Sequence, residues 1–161
     1  MTQTSNSFNL REAKLDDMEQ ITTLFKETIL HINSKDYSEK QVQTWASRAE
    51  NTNKWRDRIR HQFFVVAVSG DQIIGFGSIN QDAYLDTIFV HKDHQHEGVG
   101  TALLQKMLKY AQNKGKTEVY TEASLTARSF LEKHGFRTQK PQQKFRDGVV
   151  FVNFAMVKAL E

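Results

Sequence analysis

The hydrophobic pattern of this chain changes its period near residue 62. Before that point apolar residues recur every three or four positions, as they do on one face of a helix. Asp16 or Asp17 can cap a first helix, whose apolar face consists of Met18, Ile21, Leu24, Phe25, Ile29 and Ile32. Ser38 opens a second helix, and its apolar positions are Val42, Trp45 and Ala46. Segment 51–60 is a candidate for a further short helix, and residues 8–13 predict a strand at the start.

After residue 62 the pattern is typical of strands. Residues 63–68 (FFVVAV) are continuously apolar, as in a strand buried on both faces. Two further strands are predicted at 73–79 and 83–90. On the second of these, the period of two predicts one shared face for Tyr84, Asp86, Ile88 and Val90.

The last third of the chain alternates helices with strands. A helix beginning at Val99 buries a stripe made of Val99, Ala102, Leu103, Met107, Tyr110 and Ala111. Residues 116–123 predict a strand, and Ser124 caps a helix over 125–134 that ends at Gly135. Segments 136–145 and 149–157 predict strands joined by the hairpin signal Asp147-Gly148. The predicted order is βααβββαβαββ, an α+β fold in which residues 1–161 form one domain around a mixed, mostly antiparallel sheet.

The amino-acid composition excludes several classes of protein and function. The chain has no cysteine, which fits a cytoplasmic location and excludes a thiol nucleophile and a disulfide framework. Its first residues lack the features of a signal peptide, and no apolar run approaches the roughly 20 residues that span a membrane. The net charge of +3 favours an anionic ligand only mildly, because basic and acidic residues are interspersed. No basic stripe with interleaved aromatics supports the rival interpretation of a nucleic-acid-binding domain.

The segment QHEGVG, residues 95–100, places two glycines where a helix must begin. Glycine is a poor helix former. Gly98 and Gly100 therefore indicate that backbone without a side chain is required at these two positions. A helix start offers N–H groups without intrahelical partners and a partial positive charge, which together bind phosphate. The alternative is that the glycines only let strand and helix pack closely. The chain lacks the lysine of a P-loop and the spacing of a dinucleotide-binding fold.

Two signatures give this chain a family resemblance. IFVHKDHQHEGVGTALL resembles the acetyl-CoA-binding motif of GNAT-type N-acetyltransferases, which Gln95, Gly98 and Gly100 match position for position. EASLTARSFLEKHGF resembles the second signature of that family, and the matching residues there are Ala127, Phe130, Gly135 and Phe136. YSEKQVQTWA, YLDTIFV and the ending GVVFVNFAMVKAL resemble the YafP-like branch, so the resemblance extends over almost the whole chain.

The resemblance implies a fold, a donor and a set of binding residues. The fold is the GNAT fold, and acetyl-CoA donates its acetyl group to a primary amine by direct transfer in a ternary complex. The pyrophosphate of CoA would lie on backbone N–H groups at the start of the helix. The pantetheine arm would pair with the strand that ends at Val90. The next strand of the sheet would splay away from that strand and leave room for the arm. The implied cofactor-binding residues are Ile88, Phe89, Val90, Gln95, His96, Glu97, Gly98, Val99, Gly100, Thr101, Ser124, Ala127 and Phe130.

Two positions bear on the chemistry. Asp86 is a carboxylate inside a strand, where aspartate is disfavoured. Related enzymes have a general base on this strand, so Asp86 is the candidate catalytic residue, and a structural ion pair is the alternative. Leu131 stands where many relatives have a tyrosine that protonates the CoA thiolate. Three explanations are open: the thiolate leaves unaided or takes a proton from water, Tyr84 or Tyr120 substitutes, or the protein is a catalytically weak acyl-CoA-binding module.

The remaining candidates concern the acceptor. Tyr37, Trp45 and Trp55 either line the acceptor pocket, as the helices before the central strands do in the family, or simply pack in the core. The histidines of HKDHQH lack a matching set of ligands, so no metal site is predicted. The acceptor's identity cannot be read from the sequence. Nucleic acid and membrane are not expected partners, and a homodimer is left open by the resemblance.

Overall fold

The computed structural model describes residues 7–161, in which seven strands form one sheet with helices on both faces. The helices are α1 (Met18–His31), α2 (Glu39–Ala46), α3 (Thr52–His61), α4 (Val99–Asn113) and α5 (Leu125–Lys133). The strands are β1 (Asn9–Glu12), β2 (Phe63–Ser69), β3 (Gln72–Ile79), β4 (Tyr84–Val90), β5 (Glu118–Ala123), β6 (Arg137–Arg146) and β7 (Val149–Ala159). None of the helices in these residues combines the length and the apolar character needed to cross a bilayer.

The sheet is open in its middle. Its strand order is β1-β2-β3-β4-β5-β7-β6, and the β4–β5 pair is parallel whereas the other neighbours are antiparallel. These two strands pair only at their beginnings, Tyr84 with Tyr120 and Leu85 with Thr121. Beyond Leu85 they diverge, which leaves one edge of β4 without a neighbouring strand and creates a V-shaped opening in the sheet.

Two apolar clusters cover the two faces of the sheet. One contains α4 and α5 residues such as Leu103 and Leu131 with β5 and β7 residues such as Val119 and Met156. The other cluster contains buried side chains of α1, α2 and α3, and Trp55 is one of them. Since each helix buries one apolar stripe, the two clusters hold the sheet between two helical layers.

The segment before β2 forms a full helix, so the element order contains one helix more than the predicted order. This helix, α3, begins at Thr52, where the Asn51 side chain accepts a hydrogen bond from Lys54 N at 3.3 Å. Most of its residues are polar, and Trp55 is the one that is fully buried, with 1% exposed. The indole N–H of Trp55 donates to the Arg48 carbonyl oxygen at 3.0 Å. Trp55 is therefore a core residue that anchors α3.

The predicted caps at Ser38 and Ser124 and the predicted hairpin are present. Ser38 Oγ accepts from Gln41 N at 3.1 Å, and the Gln41 side chain accepts from Ser38 N at 2.8 Å, which is a capping box. Ser124 Oγ accepts from Ala127 N at 3.1 Å. The hairpin turn has φ 51° at Asp147 and φ 76° at Gly148, as a two-residue turn of the primed type requires.

The prediction that Asp86 shares a face with Ile88 and Val90 is wrong, because β4 contains a β-bulge at this residue. Ser78 pairs with Thr87 but Ile79 pairs with Leu85, so Asp86 is the extra residue of the bulge. Its side chain points to α3, where it bonds Arg58, whereas Ile88 packs on the opposite cluster. Asp86 thus does not share a face with Ile88 and Val90, because the period of two is interrupted at this residue.

Asp17 occupies the N-cap position of α1, as predicted, but its side chain makes no cap hydrogen bond to that helix. Its carboxylate accepts hydrogen bonds from the Arg11 guanidinium at 2.8 and 3.0 Å and from Lys14 N at 2.8 Å. The Arg11 hydrogen bonds lower the pKa of Asp17, and they outweigh burial, which acts in the opposite direction. Asp17 therefore ties β1 to the start of α1 as a buried, charged group.

Replacing Asp17 with asparagine is expected to lower the free energy of unfolding at pH 7 by about 1–3 kcal/mol, since it removes charge-assisted hydrogen bonds from a buried group. The pKa of Asp17 is lower in the folded protein, so this stabilisation is present above its unfolded pKa and is lost as pH falls through the folded one. The difference in Tm between wild type and variant should therefore shrink toward zero as the pH is lowered below about 4. The exposed neighbour Asp16, replaced in the same way, is the control, and a difference for Asp17→Asn that stays constant with pH would contradict this account.

Candidate active site

A cleft of about 790 Å³ opens where β4 and β5 separate. This volume is within the range of small-molecule sites in proteins. Its walls come from the α1–α3 layer, from both splayed strands, from α5 and from the β6–β7 hairpin. They include Tyr37, Trp45, Arg48, Arg58, Tyr84, Asp86, Ile88, Glu122, Ser124, Ala127, Leu131, Arg146 and Phe151. Segments far apart in the sequence therefore meet in one concave site.

The start of α4 carries a run of free backbone donors. Among the described residues, none of the N–H groups of residues 95–101 donates to another protein group. The first that does belongs to Ala102, which donates to the Gly98 carbonyl oxygen at 3.1 Å. His96 and Gly98 adopt left-handed conformations, with φ of 63° and 86°. These donors stand at the positive end of a helix of 15 residues, an arrangement that binds anions.

The two glycines of the motif are needed for different reasons. At Gly98 an added Cβ would meet no atom within 4 Å, but its φ of 86° disfavours any other residue. At Gly100 an added Cβ would lie 3.2 Å from the Phe130 ring and 3.6 Å from the Val90 side chain. The close packing that the sequence left as an alternative therefore applies at Gly100, and a backbone requirement applies at Gly98.

Gln95 braces the loop between β4 and α4. Its amide Nε2 donates to the Val90 carbonyl oxygen at 2.7 Å and to the His91 carbonyl oxygen at 3.3 Å. Thr28 Oγ1 donates to the same Val90 oxygen at 3.1 Å. These bonds tie the end of β4 to the loop that carries the free donors.

The other predicted cofactor residues lie around this junction with different exposures. Ile88 and Val90 pack against the α4–α5 cluster, whereas Phe89 packs on the other face. Ile88, Phe89, Ser124 and Ala127 line the cleft. His96 and Glu97 are exposed, and Val99 is buried in the core. The Thr101 hydroxyl lies 3.2 Å from the His134 ring. Phe130 covers Gly100.

Asp86 lies on the cleft wall at the bulge, with 18% of its side chain exposed. Its Oδ2 accepts from Arg58 Nε at 2.9 Å and from Gln62 Nε2 at 2.9 Å. Its Oδ1 bonds no other described residue. One oxygen is thus held in place by two donors while the other is free to accept a proton or a substrate N–H.

Glu122, on β5 across the opening, is a second carboxylate in the cleft. Burial by itself would raise the pKa of Glu122, but hydrogen bonds from Gln142 and Lys144 outweigh it and lower the pKa. Both of these donors bind Oε2, at 3.0 and 3.1 Å. Glu122 is therefore held ionised between the splayed strand and the β6–β7 hairpin.

Tyr84 and Tyr120, the two candidate substitutes for the missing acid, differ in their access to the cleft. Tyr84 lines it, and burial, reinforced by the charges of Glu122 and Asp86, raises the pKa of Tyr84 strongly. Tyr120 is 43% exposed and lies outside the lining, although its ring centroid is 5.1 Å from that of Tyr84. Leu131 lines the cleft with 1% of its surface exposed and has no group that could donate a proton.

The far wall of the cleft is aromatic. Tyr37 and Trp45 lie edge to face with centroids 5.2 Å apart, and Phe151 lies 6.4 Å from each of them. The Tyr37 hydroxyl also accepts from Leu125 N at 2.7 Å, which fixes the start of α5. Of the three aromatic candidates, Tyr37 and Trp45 thus line the cleft and Trp55 does not.

Sequence reasoning missed the basic side chains of the cleft. Arg48, Lys54, Arg58, Lys144 and Arg146 line it, together with three acidic residues. In the sequence these cations are dispersed over two distant regions and are interspersed with acids. No local pattern marks them, since only the packing of the β6–β7 hairpin beside α2 and α3 brings them together.

Comparisons with known proteins identify the same family that the sequence motifs resemble. The family model described as an acetyltransferase (GNAT) domain matches residues 33–158. The chain is 30% identical over 151 residues to the uncharacterized N-acetyltransferase YafP of Escherichia coli (strain K12), covering 94% of this chain and 95% of that protein. Its fold resembles a GCN5-related N-acetyltransferase from Rhodopseudomonas palustris, with TM-score 0.93, 27% identity and coverage of 99% and 100%. It also resembles PaiA N-acetyltransferase from Thermoplasma acidophilum, solved in complex with coenzyme A, with TM-score 0.78, 21% identity and coverage of 95% and 99%.

Proposed function

Because this chain belongs to the GNAT family of acetyltransferases, we propose that it transfers the acetyl group of acetyl-CoA directly to a primary amine while both substrates are bound. The observation that carries the proposal is the meeting of two features in one place. The free N–H groups at the start of α4 lie next to the end of β4, and the cleft opens along the same strand. A donor with a phosphate group at one end and a thioester at the other fits this arrangement.

The donor occupies the site in two parts. The CoA pyrophosphate accepts hydrogen bonds from the N–H groups of residues 96–101, and the partial charge of α4 attracts it. The pantetheine arm lies along the edge of β4 that β5 leaves after Leu85, and it bonds the strand as an added strand does. Ser124 and Ala127 form the opposite wall, so the thioester reaches the cleft beside Asp86.

Asp86 is the proposed general base. An amine acceptor arrives mostly as ammonium at neutral pH and must lose a proton before it can attack. Oδ1 accepts that proton, directly or through a water, while Arg58 and Gln62 hold Oδ2 in position. The amine nitrogen then bonds to the thioester carbon and loses a second proton to the solvent, the C–S bond breaks, and the CoA thiolate departs. With no cysteine in the chain, a covalent acyl-thioenzyme is not part of the route.

The thiolate leaves without a protein acid in this proposal. Leu131 cannot donate a proton, and Tyr84 lines the cleft with a raised pKa. A thiol has a pKa of about 8.5, so proton transfer from such a tyrosine to the thiolate is uphill. A thiolate of this basicity is a fair leaving group, so it departs unprotonated and equilibrates with the solvent afterwards.

Replacing Tyr84 with phenylalanine is therefore expected to retain most of kcat, within about threefold of wild type, because no general acid is lost. The measurement is the release of CoA thiol at saturating acetyl-CoA and acceptor. Tyr120→Phe, outside the cleft, is the matched control. A loss of about a hundredfold or more in Tyr84→Phe alone would identify Tyr84 as the missing acid.

The proposed function is tested with the purified protein and a panel of amines. Calorimetry measures whether acetyl-CoA binds, thiol release measures whether it is consumed, and mass spectrometry identifies the acetylated amine. Acetylation of at least one amine, dependent on acetyl-CoA, is the expected result. Binding of acetyl-CoA without turnover of any amine would favour the alternative of a catalytically weak acyl-CoA-binding module.

A further inference from the structure

The cleft carries more positive than negative side chains. Five basic and three acidic residues line it, an excess of two positive charges. Arg58 pairs with Asp86 at 2.9 Å and Lys144 with Glu122 at 3.1 Å. Among the described residues, Arg48, Lys54 and Arg146 make no ion pair, and Asp147 is the remaining carboxylate of the lining. The unpaired cations are therefore concentrated on the wall formed by the turn after α2, by α3 and by β6.

Arg48 is the least exposed of these unpaired cations. Its guanidinium makes no hydrogen bond to another described residue. Burial lowers the pKa of Arg48, and the neighbouring positive charges of Arg146 and Arg58 lower it further, against the weaker opposing effect of Asp147. A half-buried guanidinium next to like charges is a strong site for a carboxylate, which it can bind with two parallel N–H···O bonds.

This charge distribution conflicts with an acceptor that is only an amine. Such an acceptor approaches as a cation, so an electropositive wall lowers its local concentration and its affinity. An acceptor that also carries an anionic group reverses the effect, because the anion binds the free guanidinium while the amine faces Asp86. The aromatic wall of Tyr37, Trp45 and Phe151 next to these cations accommodates an apolar body.

We infer that the acceptor is a small amine that also carries a carboxylate, as an amino acid does, with Arg48 binding the carboxylate and the aromatic wall contacting its apolar part. This inference rests on the proposed acetyl transfer to a primary amine. It specifies the acceptor class for the same cleft, and it assigns Arg48 and Arg146 to substrate selection.

The test compares acceptors that differ in structure by the carboxylate alone, with kcat/KM expressed per concentration of free amine because the carboxylate also lowers the pKa of the amine. Alanine, leucine and phenylalanine are each paired with the amine that lacks the carboxylate, namely ethylamine, isoamylamine and phenethylamine. The expected result is a kcat/KM at least about tenfold higher for the carboxylate-bearing member of the better pairs, the scale of a charge-assisted hydrogen bond. Arg48→Gln should reduce this preference to about twofold or less while the Kd of acetyl-CoA stays unchanged.

Controls separate this inference from the proposal on which it rests. Arg60→Gln, an exposed arginine of α3 outside the cleft lining, should retain the full preference. Arg146→Gln provides a second cleft variant if Arg48→Gln does not fold. Equal kcat/KM for both members of every pair, with turnover intact, would overturn the inference and leave the acetyl transfer standing. Absence of turnover with every amine would overturn both.

Discussion

Replacing Asp86 with asparagine is expected to lower kcat at neutral pH by about 10²–10⁴, the range for loss of a general base. Asparagine keeps the shape of the side chain, and its carbonyl oxygen can still accept from Arg58 and Gln62, which hold Oδ2 in the native protein. What disappears is the ability of Oδ1 to take a proton from the ammonium. The Kd of acetyl-CoA should barely change, because binding of the donor involves no proton at this position.

The pH dependence of this loss distinguishes a base from a structural acid. At high pH the acceptor is already a free amine, so the difference in kcat between wild type and Asp86→Asn should become smaller. Asp82→Asn, in the exposed turn before β4, is the matched control and should change neither rate nor stability. If Asp86 serves only the ion pair with Arg58, the variant will show a lower Tm and an unaltered pH–rate profile, and the site will have no identified base.

Replacing Gly98 with valine is expected to raise the Kd of acetyl-CoA by about 10²-fold. A β-branched residue cannot easily adopt the φ of 86° that Gly98 has, so the backbone at the start of α4 must turn away. This redirects the free N–H groups next to it. The loss of two charge-assisted hydrogen bonds, at roughly 1.5 kcal/mol or more each, corresponds to that factor.

The same helix offers a matched control for this variant. Gly115, after the other end of α4, has φ 78° and, like Gly98, would meet no atom within 4 Å with an added Cβ. Gly115→Val therefore introduces similar backbone strain far from the proposed donor site, and it should leave the Kd of acetyl-CoA unchanged. Gly100→Val is a less clean test, because its side chain would also collide with the Phe130 ring. Unchanged affinity in a folded Gly98→Val variant would remove the basis of the donor site.

The comparisons confirm the predicted family and its fold, whereas the roles of individual site residues remain proposals. Local signals were sufficient for the caps at Ser38 and Ser124 and for the turn at Asp147-Gly148. Each of these depends on hydrogen bonds and steric limits within a few residues, which the same few letters of sequence encode. Helix α3 was harder to predict, since its single fully buried side chain, Trp55, leaves almost no apolar periodicity to detect.

Long-range contacts decided what local patterns could not. The face on which Asp86 lies depends on the register of β3 against β4, where Ile79 pairs with Leu85 instead of continuing the ladder at Asp86. A sequence pattern of period two contains no sign of that shift, because the bulge arises from pairing between strands rather than within one.

By itself the sequence determined the order of most elements, the family and the glycine-dependent start of α4, because these are written in contiguous residues with short-range steric and hydrogen-bonding requirements. The tertiary structure alone decided that Asp86 meets Arg58 and Gln62, that Tyr84 lines the cleft and Tyr120 does not, and that Arg48 approaches Arg146. The physical reason is that charges and side-chain directions in the cleft are set by the packing of separate segments, and the distance between two side chains in space is not encoded in their spacing along the chain.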